Sequence, residues 1–547
     1  MTGVIRRASF PISGARYAQK MRQSLPSPTR VGVFGWGVVA PKSPNIRTFE
    51  KNLLCSESWL SPFNGFGPDN FLVGEPEFRF EDYQPWISQR FAPRHYQNLK
   101  EKIDLPALFA AGAFIQALEQ NPGLEEELKS LGEQCHVYVG TGLGSLGTMY
   151  ETSVALYEAQ GRWDRFWARP ENNRVLREYR AAGEGDVPPD PRTAGYDDGD
   201  EGRGAAERNW NRYWMARSPE LAEYLAELAE IDGGGIGDDI AAGKLSSIRD
   251  KEKRRARLRE KWRAPEPPWK VSANLIWNIH NMPAAQISIL GGITGMAFAP
   301  VAACSTFGVA LELAIRAIQA GDAKAVVMGA TDPPPHPLTV GAFYSARVMA
   351  ADGQVSMPLA QLKGTHVAGG SVIWIIGDLE YMRAKGFQPL GMEPVAVGVT
   401  SDAYHIITPS LDGPRAAVLN AVAKASATAD SLGTWDLHAT ATPGDYAEME
   451  TVRSLLPRDV LVTARKGTFG HGMSAGGGWE LTAQYLGYQR GKLFPTPLAE
   501  AEMHPAIREL HDRVVFDRAC TFPKGLAGKL SMGIGGINAC VISRPLE

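Results

Sequence analysis

Apolar residues in this chain gather in short runs, and helical patterns separate the runs. Residues 31–41 read as a strand and turn, and residues 137–144 as a second strand with a glycine loop after it. Residues 295–303 form an apolar run. Behind it Leu311, Leu313, Ile315, Ile318 and Ala320 supply the apolar positions of a helix. Two stretches echo each other: residues 366–376 and 533–542 are each a glycine turn entering an apolar strand. The echo predicts a duplicated unit, its first half ending near Lys385 and its second starting near Gln388. Helical patterns at 416–429 and 480–488 alternate with strands, which predicts layered α/β units.

The segment at about 151–270 breaks this rhythm. It is charged, yet six of the chain's thirteen tryptophans lie in it. Trp163/Trp167 and Trp210/Trp214 are each four apart, the spacing of one helix face. Disordered chains are poor in aromatics, so the segment reads as a folded, largely helical insert packed on the main body. Residues 249–263 carry nine basic and three acidic side chains. They form either a solvated helix face or a docking surface for an acidic carrier protein. Residues 1–30 hold six basic and no acidic residues and lack an apolar core after Arg6-Arg7. They read as a flexible basic arm rather than an export signal, with a transit peptide as the alternative.

With 547 residues, 44% of them hydrophobic, the chain has core material for one large or two fused domains. A net charge of −3 gives no electrostatic reason to expect a nucleic-acid partner, and no apolar run reaches the length of a membrane span. Five cysteines without metal spacing fit a reducing cytoplasm.

Chemistry concentrates in four places. Cys304 stands in Ala302-Ala303-Cys304-Ser305-Thr306, between the apolar run and the helix, where a helix start stabilises a thiolate. Its small neighbours let a carbonyl approach; a buried structural cysteine is the plain alternative. His438 lies in a small-residue loop running to Asp445, and His471 in a glycine-rich one, with Lys466 five residues before it. Together they form a candidate acid/base constellation, although single histidines are more often satisfied core or surface residues. Residues 533–538 make a tight Gly-Ile-Gly-Gly-Ile-Asn turn. It reads as a hairpin, or as a backbone N–H donor aimed at an oxyanion.

This order of motifs resembles the β-ketoacyl-acyl-carrier-protein synthases of the thiolase superfamily, in particular the elongating Cys-His-His group. The resemblance covers roughly residues 31–150 and 270–547. It implies a duplicated, five-layered α-β-α-β-α thiolase-like fold, with residues 31–385 as the N-terminal half, interrupted by the insert, and 386–547 as the C-terminal half. It further implies that Cys304 carries an acyl group while His438 and His471 hold a malonyl thioester carbonyl during decarboxylation. Lys466 would position the histidine region, the backbone N–H groups of Cys304 and Ile534 would form the oxyanion hole, and Thr440 and Thr442 would meet a phosphopantetheine arm. The thioester supplies the activation, so no metal or other cofactor is implied. The partners implied are an acyl carrier protein and a second subunit, identical or related, paired edge to edge through residues 296–303.

The chain departs from that pattern around the site. Gly370 stands where the family has an acidic residue, Ala360 where it has an aspartate, the loop from His438 to Asp445 is one residue shorter, and Ile534 replaces a frequent phenylalanine gate. These changes point to a specialised substrate, rigid or bulky near the thioester, because Ile534 is stiff and small. Two alternatives keep the fold: an acyltransferase or decarboxylase that forms no C–C bond, and a chain-length-determining partner subunit, which typically lacks the cysteine. A third reading is a dinucleotide enzyme, from Gly142-Leu-Gly-Ser-Leu-Gly147. It requires a following strand, whereas residues 159–166 look helical.

Overall fold

The structure is a computed structural model. It describes residues 29–67, 69–183, 187–195, 201–233, 243–270, 274–408 and 410–546. All but the last two residues of the expected basic arm lie outside the described residues.

Ten strands build two sheets. β1 (Val31–Val39), β2 (Cys135–Gly140), β3 (Ala297–Phe298), β4 (Ala325–Asp332) and β5 (Gly370–Asp378) form the first, in the order β1-β5-β4-β2-β3. β6 (Met392–Ser401), β7 (Leu432–Asp436), β8 (Leu461–Thr463), β9 (Leu526–Gly533) and β10 (Ile537–Pro545) form the second, in the order β6-β10-β9-β7-β8. Numbered within each half, the two orders are identical. The directions match as well. In each sheet the first three strands in that order are joined antiparallel and the last two extend it in parallel. The echo between residues 366–376 and 533–542 is thus the second strand of each sheet.

Six helices complete the layers: α1 (Leu105–Leu118), α2 (Met282–Gly291), α3 (Thr306–Ala320), α4 (Asp412–Lys424), α5 (Gly444–Leu455) and α6 (Met473–Arg490). α1 and α2 pack on the outer face of the first sheet, α4 and α5 on the outer face of the second, and α3 and α6 lie between the sheets. This is the five-layered thiolase-like arrangement. β4 and β5 are buried at every position, as strands covered on both faces must be, which explains their continuous apolar sequence. α6 is buried from Met473 to Gly487, so it shows no polar face. Residues Ala303–Ala320 are long and apolar enough to cross a bilayer, but 67% of that stretch is buried as the central helix of the protein.

At position 370 backbone geometry decides the residue. Gly370 has φ +138, and a Cβ there would lie 2.2 Å from the Val39 carbonyl oxygen. No acidic side chain fits where the family pattern places one. The apolar run at 295–303 is a shorter strand than expected. Only Ala297 and Phe298 pair, at the edge of the first sheet, and Met296 and Val301 are 54% and 57% exposed.

The described residues within 147–276 form a second compact unit, and the other described residues form the first. Helices at Arg174–Ala182, Glu201–Met215, Pro219–Gly233 and Gly243–Trp262 build most of it. The tryptophan pairs do what their spacing predicts. Trp163 and Trp167 join Tyr224, Leu228 and Leu258 in one core, and Trp210 and Trp214 join Leu176 in another. Arg249, Lys253 and Arg257 are exposed along one side of the basic helix.

Candidate active site

Cys304 sits in a single 3₁₀ turn, Ala303–Ser305, directly before α3. Ala303 takes φ +47, a left-handed step that costs a non-glycine residue about 1–3 kcal/mol. The Ser305 hydroxyl fixes the turn by donating to the Ser531 carbonyl at 3.1 Å and the Ile537 carbonyl at 2.7 Å. Those carbonyls flank the β9–β10 hairpin, so the glycine turn is both a hairpin and part of the site. The N–H groups of Ile534 and of Cys304 itself are directed at the sulfur. Burial nevertheless dominates there. It pushes the thiol up to about 11, against the Ile534 N–H and the Lys466 ammonium. The resting group is a thiol, not the thiolate expected at a helix start.

The histidines meet across the same cavity, with ring centroids 5.3 Å apart and planes at 83°. Burial holds both imidazoles well below their ordinary range, helped by Lys466 and Lys529. Both are therefore neutral, and each ring can offer one N–H. His471 is pinned by its backbone: its N–H donates to the His366 carbonyl at 2.6 Å, and its carbonyl accepts from Ala368 at 2.9 Å. His438 is pinned by Glu448, whose two oxygens accept the N–H groups of His438 and Ala439 at 2.8 Å each. Asp445 shapes the rest of the loop, accepting from Thr440 at 2.8 Å, Ala441 at 3.1 Å and Leu359 at 2.9 Å. Ala441 takes φ +58 and Leu359 φ +65, which links the shortened loop to the unusual Pro358-Leu359-Ala360 segment.

The cavity measures about 270 Å³. Cys304, His438, His471, Thr440, Thr442 and Ile534 all line it. The Thr440 and Thr442 hydroxyls lie 3.0 Å apart, and Ile534 is 44% exposed at the rim. Lys466 does not line it. It lies behind His438, where its ammonium donates to the His438 carbonyl and pairs with Glu480 at 2.8 Å. Sequence reasoning missed Glu448, Glu480, Asp436 and Lys529, all buried. It also missed Phe343, His405, Ile407 and Thr408 on the cavity wall. Two of the buried four carried a signal: Glu480 and Lys529 are lone charges in otherwise uncharged stretches, residues 473–487 and 526–533.

The loop at 142–144 has a different task from cradling phosphate. Its N–H groups at Gly142 and Leu143 donate to the Asp332 carboxylate at 2.9 and 2.8 Å. Thr141 Oγ1 and the Ser474 N–H reach the same carboxylate at 3.1 and 2.7 Å. The helix after it, Leu146–Trp167, still runs at residues 159–166, where a dinucleotide fold has reached its second strand. With its donors satisfied by a carboxylate, this loop holds no pyrophosphate.

Comparison with known proteins agrees with this geometry. Residues 233–380 match the family "Beta-ketoacyl synthase, N-terminal domain", and residues 393–499 match "Beta-ketoacyl synthase, C-terminal domain". A 3-oxoacyl-[acyl-carrier-protein] synthase 2 of Vibrio cholerae is 30% identical over 266 residues, covering 46% of this chain and 63% of that protein. The corresponding Staphylococcus aureus protein is 28% identical over 284 residues, covering 49% of this chain and 66% of its own length. The chain thus spans just under two thirds of these relatives. Among solved structures, the ishigamide ketosynthase/chain length factor superposes with TM-score 0.65 at 16% identity, covering 95% of this chain and 100% of that one. A type II polyketide ketosynthase solved with its acyl-carrier protein gives 0.61 at 17%, with the same coverage. Both share the fold. The two family domains match in order, and they contain Cys304, then His438, Lys466 and His471: over these two stretches the chain is similar to the β-ketoacyl synthases.

Proposed function

We propose that this protein joins an acyl thioester to a malonyl thioester by decarboxylative Claisen condensation. One observation carries the reading. A buried cysteine with two N–H donors at its sulfur shares a cavity with two imidazoles held neutral. In the first step the Cys304 sulfur attacks the acyl thioester and the thiol proton leaves with the departing thiol. In the second, the malonyl C–C bond to carboxylate breaks. Carbon dioxide leaves, and the electron pair becomes an enolate whose oxygen takes hydrogen bonds from His438 and His471. The enolate carbon then attacks the acyl-cysteine carbonyl. The new oxyanion faces the N–H groups of Cys304 and Ile534, and its collapse expels the sulfur as a thiolate, which takes a proton from water. Neutral donors suit this chemistry because negative charge develops on oxygen and no strong base is needed. Lys466 holds His438 in place, and Thr440 and Thr442 meet the arm that delivers the thioesters.

The same reading includes an acyl carrier protein as donor, the acidic partner suited to the exposed stripe of Arg249, Lys253 and Arg257. It also includes a second subunit, identical or related, on the open edge at Ala297–Phe298, where Met296 and Val301 stand exposed. The cysteines at 55, 135, 304, 520 and 540 are unpaired, in keeping with a reducing cytoplasm. Intact-mass measurement after incubation with an acyl thioester tests the first step: an adduct on the wild type, none on Cys304→Ala. Carbon dioxide release and a β-keto product from added malonyl thioester test the second. An adduct that survives Cys304→Ala refutes the reading. Loading without decarboxylation leaves an acyltransferase, and decarboxylation without the β-keto product leaves a decarboxylase.

A further inference from the structure

The charge cluster behind the cavity is larger than the proposed chemistry uses. Lys466 alone serves the His438 carbonyl. Lys529, on β9, is a second ammonium with 1% of its side chain exposed, and burying it is expensive unless it holds something in place. Its position shows what. β7 and β9 run parallel, and their ladder ends at the pair Asp436 and Lys529. Past that pair the strands separate. β7 runs through Leu437 into the His438 loop, and β9 runs through Leu530 toward Ile534. Lys529 Nζ donates to the first carbonyl beyond the ladder on each side, Leu437 at 3.1 Å and Leu530 at 2.5 Å. Where the backbone bonds stop, one ammonium bridges the fork.

The cluster around it is shared with the site. The Glu480 carboxylate joins both lysines, Oε1 to Lys466 at 2.8 Å and Oε2 to Lys529 at 2.8 Å. Asp436 lies 3.6 Å from Lys529 and also takes Arg465 at 3.1 Å. Burial alone would neutralise Lys529, but Glu480 and Asp436 outweigh it and keep the ammonium charged. Glu448 and Cys540 also lie within its field.

We propose that Lys529 is a positioning residue: across the fork it fixes His438 relative to the Ile534 N–H, so that the enolate and the acyl-cysteine meet in register. This rests on the roles given above to His438 and Ile534. A second effect follows from its charge. Lys529 and Lys466 add to burial in keeping His438 and His471 neutral, and Cys304, His405, Asp445 and Glu448 are the other titratable groups lining their cavity.

Variants Lys529→Met and Lys529→Arg test it, read by imidazole carbon NMR of histidine-labelled protein, with His438→Gln and His471→Gln for assignment. Loading of Cys304 and carbon dioxide release are measured in parallel. In Lys529→Met both imidazole titrations move to higher pH, and decarboxylation falls about tenfold or more, as misplacement of a catalytic group predicts, while loading falls less. Lys529→Arg keeps the titrations in place. Unmoved titrations in Lys529→Met, or equal losses in both steps, overturn the proposal, because a merely structural lysine would lower both with the folded fraction. Where Lys529→Met does not fold, Lys529→Gln takes its place; where neither folds, shifted titrations in Lys529→Arg are the overturning result. A wild type that folds but neither loads nor decarboxylates refutes the condensation reading instead, and the titrations still judge Lys529.

Discussion

Replacing Glu448 by glutamine should make the protein more stable, relative to wild type, as pH rises. Glu448 accepts two backbone N–H groups in the His438 loop, yet burial still dominates and raises its carboxyl from 4.5 to about 7. A group raised in the folded state contributes stability below its unfolded value and loses it as pH climbs through the folded one. Between pH 4.5 and about 7 the unfolded chain therefore ionises at this position while the folded chain resists. At about 1.4 kcal/mol for each unit, the loss comes to roughly 3 kcal/mol. Glutamine has the same shape and does not titrate, so Glu448→Gln escapes this loss. Whatever the offset from its turned-round amide, which faces one backbone N–H with a donor, the gap between the proteins should move in favour of glutamine by that amount. Denaturant midpoints of both proteins at about pH 5 and pH 8 measure it. Parallel pH dependences, or a glutamine variant that loses ground with rising pH, would refute the argument that burial outweighs the two N–H bonds.

His438→Ala and His471→Ala should still load Cys304 but slow decarboxylation about a hundredfold or more, the loss expected for one preorganised donor; carbon dioxide release from a malonyl thioester checks it. Gly370→Ala should destabilise the protein by at least about 2 kcal/mol through backbone strain, since its Cβ would meet the Val39 carbonyl at 2.2 Å; a lowered melting temperature with an unchanged Cys304 adduct is the expected result. Ile534→Phe should slow loading of acyl groups that are bulky beside the thioester more than loading of straight chains of equal length, as paired acylation rates would show.

The sequence carried the groups proposed to react because their loops are compositionally odd. Cys304, His438 and His471 each stand among small residues between apolar segments, which helix and strand periodicity makes conspicuous. The duplication was legible for a similar reason: two glycine turns enter two apolar strands. What stayed hidden depends on which residues the fold brings behind the loops. Glu448 reads as an ordinary helix acid, and only its burial shows it gripping two N–H groups. Lys529 stands out as a lone charge in its stretch, but only the central place of β9 shows that its ammonium is buried. The thiolate expectation failed because a helix start was weighed without the desolvation that a closed cavity adds. Within the chain only Ala297 and Phe298 of the apolar run pair, and an apolar run does not reveal how much of it pairs within its own sheet.

The repeated strand order has a consequence for how such a site could arise. Each half leads from its third strand, β3 or β8, into a central helix, and each entry passes through one non-glycine residue with φ +47: Ala303 in the first half, Met473 in the second. The residue after that step is Cys304 in one half and Ser474 in the other. A single ancestral unit paired with its own copy would have presented two equivalent helix starts to each other, with equal chemistry at both. Fusion into one chain released them from that symmetry. One start kept a thiol that faces the cavity, and holds the proposed nucleophile. The other spent its side chain on Asp332 and became scaffolding for the histidine three residues ahead of it. Neither half holds a complete centre, so selection on the reaction acts on the seam between the copies, and the two halves can drift apart in sequence everywhere else.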